Sequence, residues 1–169
     1  MALDSKGIQT AIEMEEKGYN YYDEKAKEAV NKVSRRALES LASQELDHKK
    51  TFEKLAEGEK DFSGDLKAEE IENVIKEVFA EMSDKEKEDW KEKEVEVYEK
   101  ALEFEKKTYR LYKDLKEQTD NEQEKEILEK IMQEESSHED SLQNILYYLT
   151  DNTWWMADEE SKTWNWMNI

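Results

Sequence analysis

Apolar residues recur at intervals of three and four along four long segments of this 169-residue chain. This spacing places them on one face of an α-helix, as in the seam of a helical bundle. Each apolar stripe is interrupted by one glutamate, and in two stripes a histidine follows one turn later. These polar residues are Glu15, Glu45, Glu105 and Glu135, with His48 and His138. The pattern predicts four amphipathic helices, each with an acid on the face that should be buried.

The predicted long helices cover about 4–28, about 32–57, about 84–118 and a last segment ending near 149. Short links predict that the first and second helices, and likewise the third and fourth, form antiparallel hairpins. The long connection between the hairpins is a crossover with a short amphipathic helix at about 67–82. Ser83 and Glu86 fit a capping box at the start of the third long helix. Thr119-Asp120-Asn121 is predicted to be a turn with cap residues.

The two predicted hairpins are similar in sequence at an offset of 90 residues. AIEMEEKGYNYY (11–22) and ALEFEKKTYRLY (101–112) share six of twelve residues. LESLASQELDH (38–48) and LEKIMQEESSH (128–138) share four of eleven, including the glutamate and the histidine. The chain is therefore interpreted as a duplicated helical hairpin.

Within each hairpin, the two glutamates lie 15 residues on either side of a common midpoint, residue 30 in the first and residue 120 in the second. Residues equidistant from the turn of an antiparallel helix pair meet at the same height. All four carboxylates are therefore expected in one layer of the bundle, about 22 Å from the turns. The histidines lie one turn along the same faces.

Composition supports a helical protein and excludes several kinds of function. The chain has no proline and four glycines, as is typical of a mostly helical domain. A net charge of −19 disfavours binding to nucleic acid or to anionic membranes. Without cysteine there are no disulfides, thiolate metal sites or thiol catalysis. No signal-peptide or membrane-spanning run is recognised, so we expect a soluble, cytoplasmic protein.

Four buried carboxylates need compensation, because moving even one ion out of water costs several kcal/mol. Either the acids are protonated or cations lie among them. Lysine and arginine are absent from the stripes near the layer, and two divalent ions would balance four carboxylates while two neutral imidazoles add nitrogen ligands. The sequence therefore predicts a dinuclear metal site. Oxygen and nitrogen ligands without thiolate favour iron or manganese over copper or zinc. We expect two metal ions per chain, with iron or manganese favoured and zinc possible.

This ligand pattern resembles that of the ferritin-like di-iron carboxylate proteins, in which two helices each give a Glu and two give a Glu-x-x-His. Locally the sequence is similar to the rubrerythrin branch. EEKGYNYY (15–22) and EKKTYRLY (105–112) fit its Glu-x-x-small-x-x-x-Tyr motif, and ASQELDH (42–48) fits its Ala-x-x-Glu-x-x-His motif. The resemblance covers about residues 8–149. It implies an all-α, ferritin-like antiparallel four-helix bundle without a rubredoxin domain.

The resemblance also assigns roles to residues. It implies the following ligands: terminal Glu15 and Glu105, bridging Glu45 and Glu135, and one histidine per metal, His48 and His138. It further implies that Tyr22 and Tyr112 hydrogen-bond the ligand carboxylates. The chain departs from rubrerythrins at Thr108, where those proteins carry an extra glutamate.

The function that the resemblance implies is that of a non-haem di-iron oxidoreductase reacting with O₂ or hydrogen peroxide, as a peroxidase or ferroxidase in oxidative stress. The six ligands would then be the catalytic residues, and electrons would come from an external donor. One alternative is an iron-storage or iron-handling subunit of a ferritin-like assembly. Another is a structural bundle in which the metals only stabilise the fold.

The chain is predicted to divide into a bundle domain, residues 1–150, and a Trp-rich C-terminal tail, residues 151–169. The tail holds four of the five tryptophans. We interpret it as a segment that packs back on the bundle. The alternative is an interface with a second copy or another partner, because tryptophan is enriched in such contacts.

Overall fold

The computed structural model describes residues 2–59, 62, 66 and 71–150. Within these residues the secondary structure is entirely helical, and the all-α prediction of a ferritin-like bundle is confirmed. The helices are α1 (Ser5–Glu28), α2 (Lys32–Ala56), α3 (Ile71–Ala80), α4 (Asp84–Lys93), α5 (Val95–Gln118) and α6 (Glu122–Thr150). The predicted start of the short helix, residues 67–70, and the Trp-rich tail, residues 151–169, lie outside the described residues.

Two helical hairpins form the bundle. Helices α1 and α2 pack along each other after a three-residue link, and α5 and α6 do the same. The crossover between the hairpins contains α3, which packs mainly on α2, and α4, which contacts α6. No helix in the described residues combines the length and the apolarity needed to cross a bilayer.

Side chains cap the helices where the sequence places Asp, Asn and Ser. The Asp4 carboxylate accepts a hydrogen bond from the backbone N–H of Gly7, 2.7 Å away, at the start of α1. Asn31 accepts from the N–H of Val33 at 2.7 Å and opens α2. The predicted capping box of Ser83 and Glu86 is present at the start of α4. Such caps satisfy N–H groups that have no partner within the helix.

The predicted third long helix, 84–118, is two helices, and the prediction of one continuous helix was wrong. The break lies at Glu94, whose backbone (φ −126°, ψ 4°) departs from helical geometry. The Glu94 carboxylate accepts a hydrogen bond from the hydroxyl of Ser34 on α2. Trp90 donates its indole N–H to the same hydroxyl oxygen, 2.6 Å away, and is buried. Long-range contacts thus override the strong helix propensity of this Glu- and Lys-rich stretch.

The hydrophobic core is divided into two clusters along the bundle. One cluster includes Tyr22, Leu41 and Leu142, and it continues under α3 and α4. The other includes Phe52 and Ile131 and lies toward the opposite end. On α2 and α6, the glutamate and histidine of each stripe fall between residues of the two clusters. The polar layer is therefore sealed by apolar packing on both sides.

Candidate metal centre

All six residues predicted as ligands lie together in the layer between the two hydrophobic clusters. Helices α1 and α5 each give one glutamate, and helices α2 and α6 each give a glutamate and a histidine. None of these side chains is more than 1% exposed. Helical periodicity explains the arrangement, because Glu-x-x-His places both side chains on one face of a helix.

The donor atoms form two overlapping groups, each with four residues whose potential ligand atoms lie within 4.8 Å of one another. Glu45 and Glu135 belong to both groups. The groups are Glu15, Glu45, His48 and Glu135, and Glu45, Glu105, Glu135 and His138. This is the arrangement that two neighbouring cations with two shared carboxylates require.

The fit to cations can be tested on the hydrogen bonds of the donor atoms. Buried polar atoms nearly always have a partner, so atoms without one need an explanation. Eight buried atoms of the six side chains have none: Glu15 Oε2, both oxygens of Glu45, His48 Nδ1, Glu105 Oε2, both oxygens of Glu135 and His138 Nδ1. In the described residues, the other buried side-chain atom without a partner is Asn144 Nδ2. The unpartnered atoms are oxygen and nitrogen donors that converge on the two groups, and therefore they fit a pair of divalent metal ions.

Both imidazoles direct Nδ1 toward the carboxylates. His48 Nδ1 lies 3.0 Å from Glu135 Oε1 and 3.5 Å from Glu15 Oε2. His138 Nδ1 lies 3.4 Å from Glu45 Oε1 and 3.5 Å from Glu105 Oε2. Within the described residues, these four carboxylates form ion pairs with the two histidines and with no lysine or arginine. The layer thus lacks a side chain with a permanent positive charge.

The outer nitrogen of each histidine has its own partner, which the sequence analysis did not identify. His48 Nε2 lies 2.7 Å from Glu134 Oε2. His138 Nε2 lies 2.9 Å from Gln44 Oε1. With Nε2 carrying the proton, each histidine donates to an oxygen and leaves Nδ1 free to bind a metal. Residues 44 and 134 directly precede the shared glutamates, Glu45 and Glu135. This position was the one feature of the sequence that could have indicated their contact with the histidines.

The two tyrosines predicted to support the ligands lie where that role requires. The hydroxyl of Tyr22 on α1 donates to Glu105 Oε1 on α5. The hydroxyl of Tyr112 on α5 donates to Glu15 Oε1 on α1. Each hairpin thus supports a carboxylate of the other. Burial and the nearby carboxylates raise the pKa of both tyrosines well above its usual value, so the hydroxyls remain protonated donors.

Gly18 provides the space in which one shared carboxylate lies. A Cβ atom at this position would overlap Glu45 Oε2 and would lie 2.9 Å from Cε1 of Phe104. The position equivalent to Gly18 in the second hairpin is Thr108, which is buried and donates its hydroxyl to the carbonyl of Phe104 at 3.0 Å. A side chain at position 18 would therefore displace the Glu45 carboxylate, which explains why glycine stands there although it lowers helix propensity.

Without metal, protons compensate part of the negative charge. Burial and the charges of Glu105 and Glu15 raise the pKa of Glu45 to about 8. Burial and the charges of Glu45 and Glu105 raise the pKa of Glu135 well above its usual value. Burial alone would raise the pKa of Glu105, but the adjacent Glu135 carboxyl and His138 outweigh burial and lower this pKa. The pKa values of Glu45 and Glu135 thus move in the opposite direction to that of Glu105, as expected for acids in close contact.

The pKa values of both histidines are raised. Burial alone would lower the pKa of His48, but the carboxylates of Glu15, Glu134 and Glu135 outweigh it and raise the pKa well above its usual value. Burial and carboxylates oppose each other in the same way at His138, whose pKa rises to about 9. At neutral pH the metal-free layer therefore holds protons at the positions that metal ions would take.

The comparison with known families agrees with this geometry. The family model for rubrerythrin matches residues 6–146, and this span includes all six candidate ligands. No curated protein and no solved structure matches the chain. The family match and the buried carboxylate–histidine cluster together indicate a dinuclear metal site. The chain belongs to the rubrerythrin family of the ferritin-like di-iron superfamily.

Proposed function

We propose that this protein is a di-iron oxidoreductase that reduces hydrogen peroxide or O₂. The observation that supports the proposal is the set of eight unpartnered donor atoms on six buried side chains, arranged as two overlapping groups. When bound there, two iron ions would supply the electrons and the Lewis acidity for the reduction. The six side chains would hold them as the family resemblance implies, with Glu45 and Glu135 shared.

The residues of the chain have definite tasks in this proposal. The apolar clusters on both sides of the layer exclude bulk water, which strengthens electrostatic interactions at the centre. Tyr22 and Tyr112 orient the terminal carboxylates of Glu105 and Glu15. Glu45, whose pKa is about 8 without metal, is suited to give up a proton when cations bind near neutral pH. The chain has no cysteine thiolates, so we propose that a separate donor returns electrons to the centre.

The test begins with metal content. Protein purified without heating from iron-replete cells is expected to contain two iron ions per chain, and Glu45→Ala is expected to lose most of both. The matched control is Glu39→Ala, the same change on an exposed part of α2. Loss of iron in the control, or full iron content in Glu45→Ala, would contradict the proposed site.

Reactivity is tested next. The chemically reduced protein is kept anaerobic and is then mixed either with oxygen-free peroxide or, in a separate experiment, with O₂. Oxidation is followed by absorbance in a stopped-flow instrument. Peroxide consumption without net iron accumulation is the expected result. Uptake of many iron ions per chain would instead support iron storage. A reduced centre that neither oxidant changes, in a protein destabilised by metal removal, would support a structural role.

A further inference from the structure

The six candidate ligands and the two tyrosines are matched across the 90-residue offset, but the outer partners of the two histidines are not. Position 44 carries glutamine and position 134 carries glutamate. Each contacts the histidine of the other hairpin: Glu134 lies 2.7 Å from His48 Nε2, and Gln44 lies 2.9 Å from His138 Nε2. The nitrogen ligands are thus supported by a carboxylate on one side and by a neutral amide on the other.

We propose that Glu134 and Gln44 make the two metal positions unequal, so that the position at His48 binds its divalent ion first and more tightly. This inference rests on the proposed function only in requiring that the centre binds two metal ions. It assigns Glu134 and Gln44 as positioning residues, which act on the metal through the histidine and do not touch it.

The physical reason is the charge on the acceptor. A histidine that binds a metal through Nδ1 keeps its proton on Nε2 and donates it to the outer partner. A carboxylate accepts this hydrogen bond more strongly than an amide oxygen, since bonds to a charged group are about twice as strong as neutral ones. The stronger acceptor draws the proton and makes the imidazole a better electron donor. It also adds a negative charge beside the cation.

Burial limits how far water can screen this difference between the two acceptors. His48 is fully buried, and the side chain of Glu134 is 16% exposed. Gln44 is 5% exposed, and its amide nitrogen lies 3.4 Å from the hydroxyl oxygen of Ser40, which directs its carbonyl oxygen toward His138. Both contacts are therefore held in place by packing. The remaining ligands occur in matched pairs, so their contributions to the two positions largely cancel.

The size of the effect can be bounded. Changing the outer partner of a metal-binding histidine typically alters affinity by about 10- to 100-fold. We expect the two positions to differ by at least about tenfold in affinity, which is enough to separate two steps in a titration.

The chain has two histidines, one for each position, and this makes the order of loading directly observable. Metal-free protein labelled with ¹⁵N only in histidine is titrated with Zn²⁺, a diamagnetic probe, while the ring nitrogens are followed by NMR. The spectrum of His48→Ala assigns the remaining signal to His138. In the unaltered chain, the His48 signals are expected to shift to their bound positions before those of His138.

Two variants test the cause. Glu134→Gln gives both histidines an amide partner, and the two sets of signals are then expected to shift together. The exchange variant Gln44→Glu/Glu134→Gln keeps the net charge and the composition of the centre, and His138 is expected to load first. The control is Glu129→Gln, the same change at an exposed position of α6, and it should leave the order as it is.

Simultaneous loading in the unaltered chain would overturn the inference, and so would an unchanged order in the exchange variant. These outcomes would still leave two zinc ions bound, and the proposed function would stand. If neither histidine responds to zinc, both the metal centre and this inference fail. Because the exchange variant moves the order in a stated direction, a general loss of stability cannot imitate the expected result.

Discussion

The imidazole rings of His48 and His138 stack across the centre, with ring centroids 5.8 Å apart and an angle of 20° between their planes. The two rings belong to different hairpins, yet the carboxylate of Glu135 contacts Nδ1 of both, at 3.0 and 3.8 Å. Charge at one ring is therefore coupled to charge at the other through a shared acid. The protonation of this group of residues is therefore expected to make the stability of the metal-free protein depend on pH.

Metal-free protein is expected to lose stability as the pH rises from weakly acidic to alkaline values. The pKa of Glu45 is raised from 4.5 to about 8, and that of His138 from 6.5 to about 9. A group with a raised pKa binds its proton more tightly in the folded state. Its contribution is fully present below the unfolded pKa and is lost as the pH rises through the folded pKa. Urea unfolding of chelator-treated protein at about pH 5, 7 and 9 measures this decrease.

The metal-loaded protein provides the control, because its free energy of unfolding should change with pH in the opposite direction. Metal binds the deprotonated carboxylates and imidazoles, so raising the pH toward neutrality should strengthen binding and with it the folded state. Metal-free protein whose free energy of unfolding is constant or increases over the same pH range would contradict the protonation pattern described here.

Removal of either tyrosine hydroxyl that donates to a candidate ligand is expected to destabilise the protein. Tyr22→Phe leaves Glu105 Oε1 without its donor, and Tyr112→Phe does the same to Glu15 Oε1. Hydrogen bonds to charged groups contribute about 1.5–3 kcal/mol, and each variant should lose an amount in that range. Denaturant unfolding of metal-loaded protein measures the loss.

The matched control for these two variants is Tyr109→Phe. The hydroxyl of Tyr109 makes no hydrogen bond within the part of the chain that the structure describes, and the change should therefore stay within about 0.5 kcal/mol. Equal effects in all three variants would mean that the carboxylate contacts do not matter for stability.

Gly18→Ala is expected to weaken metal binding by about tenfold or more. The added methyl group would overlap Glu45 Oε2, so the shared carboxylate must move away from its position between the two groups of ligands. Zinc affinity measured by competition with a chelator reports the effect. The same substitution normally stabilises a helix by about 1 kcal/mol, so an effect on metal affinity cannot come from helix propensity.

Gly7→Ala is the comparison for that variant, since it makes the same change on the same helix. A Cβ atom at Gly7 would lie 2.9 Å from Cδ2 of Leu115, the end of an apolar side chain, and touches no candidate ligand. Its zinc affinity should equal that of the unaltered chain. A similar decrease in both variants would locate the cause in α1 as a whole.

Ser34→Ala is expected to destabilise the fold without removing metal. The hydroxyl oxygen of Ser34 lies 2.6 Å from Nε1 of Trp90 and 2.6 Å from the hydroxyl of Tyr98, and both partners are buried. Unpaired buried groups cost about 1–3 kcal/mol each, so the free energy of unfolding should fall by at least that amount. Elemental analysis should still find the metal content of the unaltered chain.

Ser43→Ala, at an exposed position of the same helix, serves as the reference and should change stability by less than about 0.5 kcal/mol. If Ser34→Ala loses metal in proportion to stability, the network around Trp90 and the centre form one cooperative unit rather than two.

The sequence was sufficient to predict the fold and the position of the polar layer for a simple reason. Helical period and the distance from a short turn together fix the height and the face of a residue in an antiparallel hairpin. Glu15 and Glu45 lie equally far from residue 30, and a straight hairpin must then bring them to the same height. The structure has both in the layer, as predicted.

Contacts between helices were not predictable in the same way. The break at Glu94 depends on Ser34, 60 residues away, and nothing in the local sequence opposes a continuous helix. The partners of the histidines were also missed, because Gln44 and Glu134 contact the hairpin to which they do not belong. The sequence shows which residues share a face of a helix. It does not show which residues of the neighbouring helix they contact.

The tyrosine bonds and the shared glutamates mean that neither hairpin contains a complete metal position. Two separate, identical hairpins could build such a centre only as a homodimer, and they would have to carry the same residue at both copies of every position. Fusion into one polypeptide removes that restriction, because each half can then accumulate its own substitutions. A binuclear centre with a glutamine on one side and a glutamate on the other is therefore open to the fused chain and closed to a homodimer of identical hairpins.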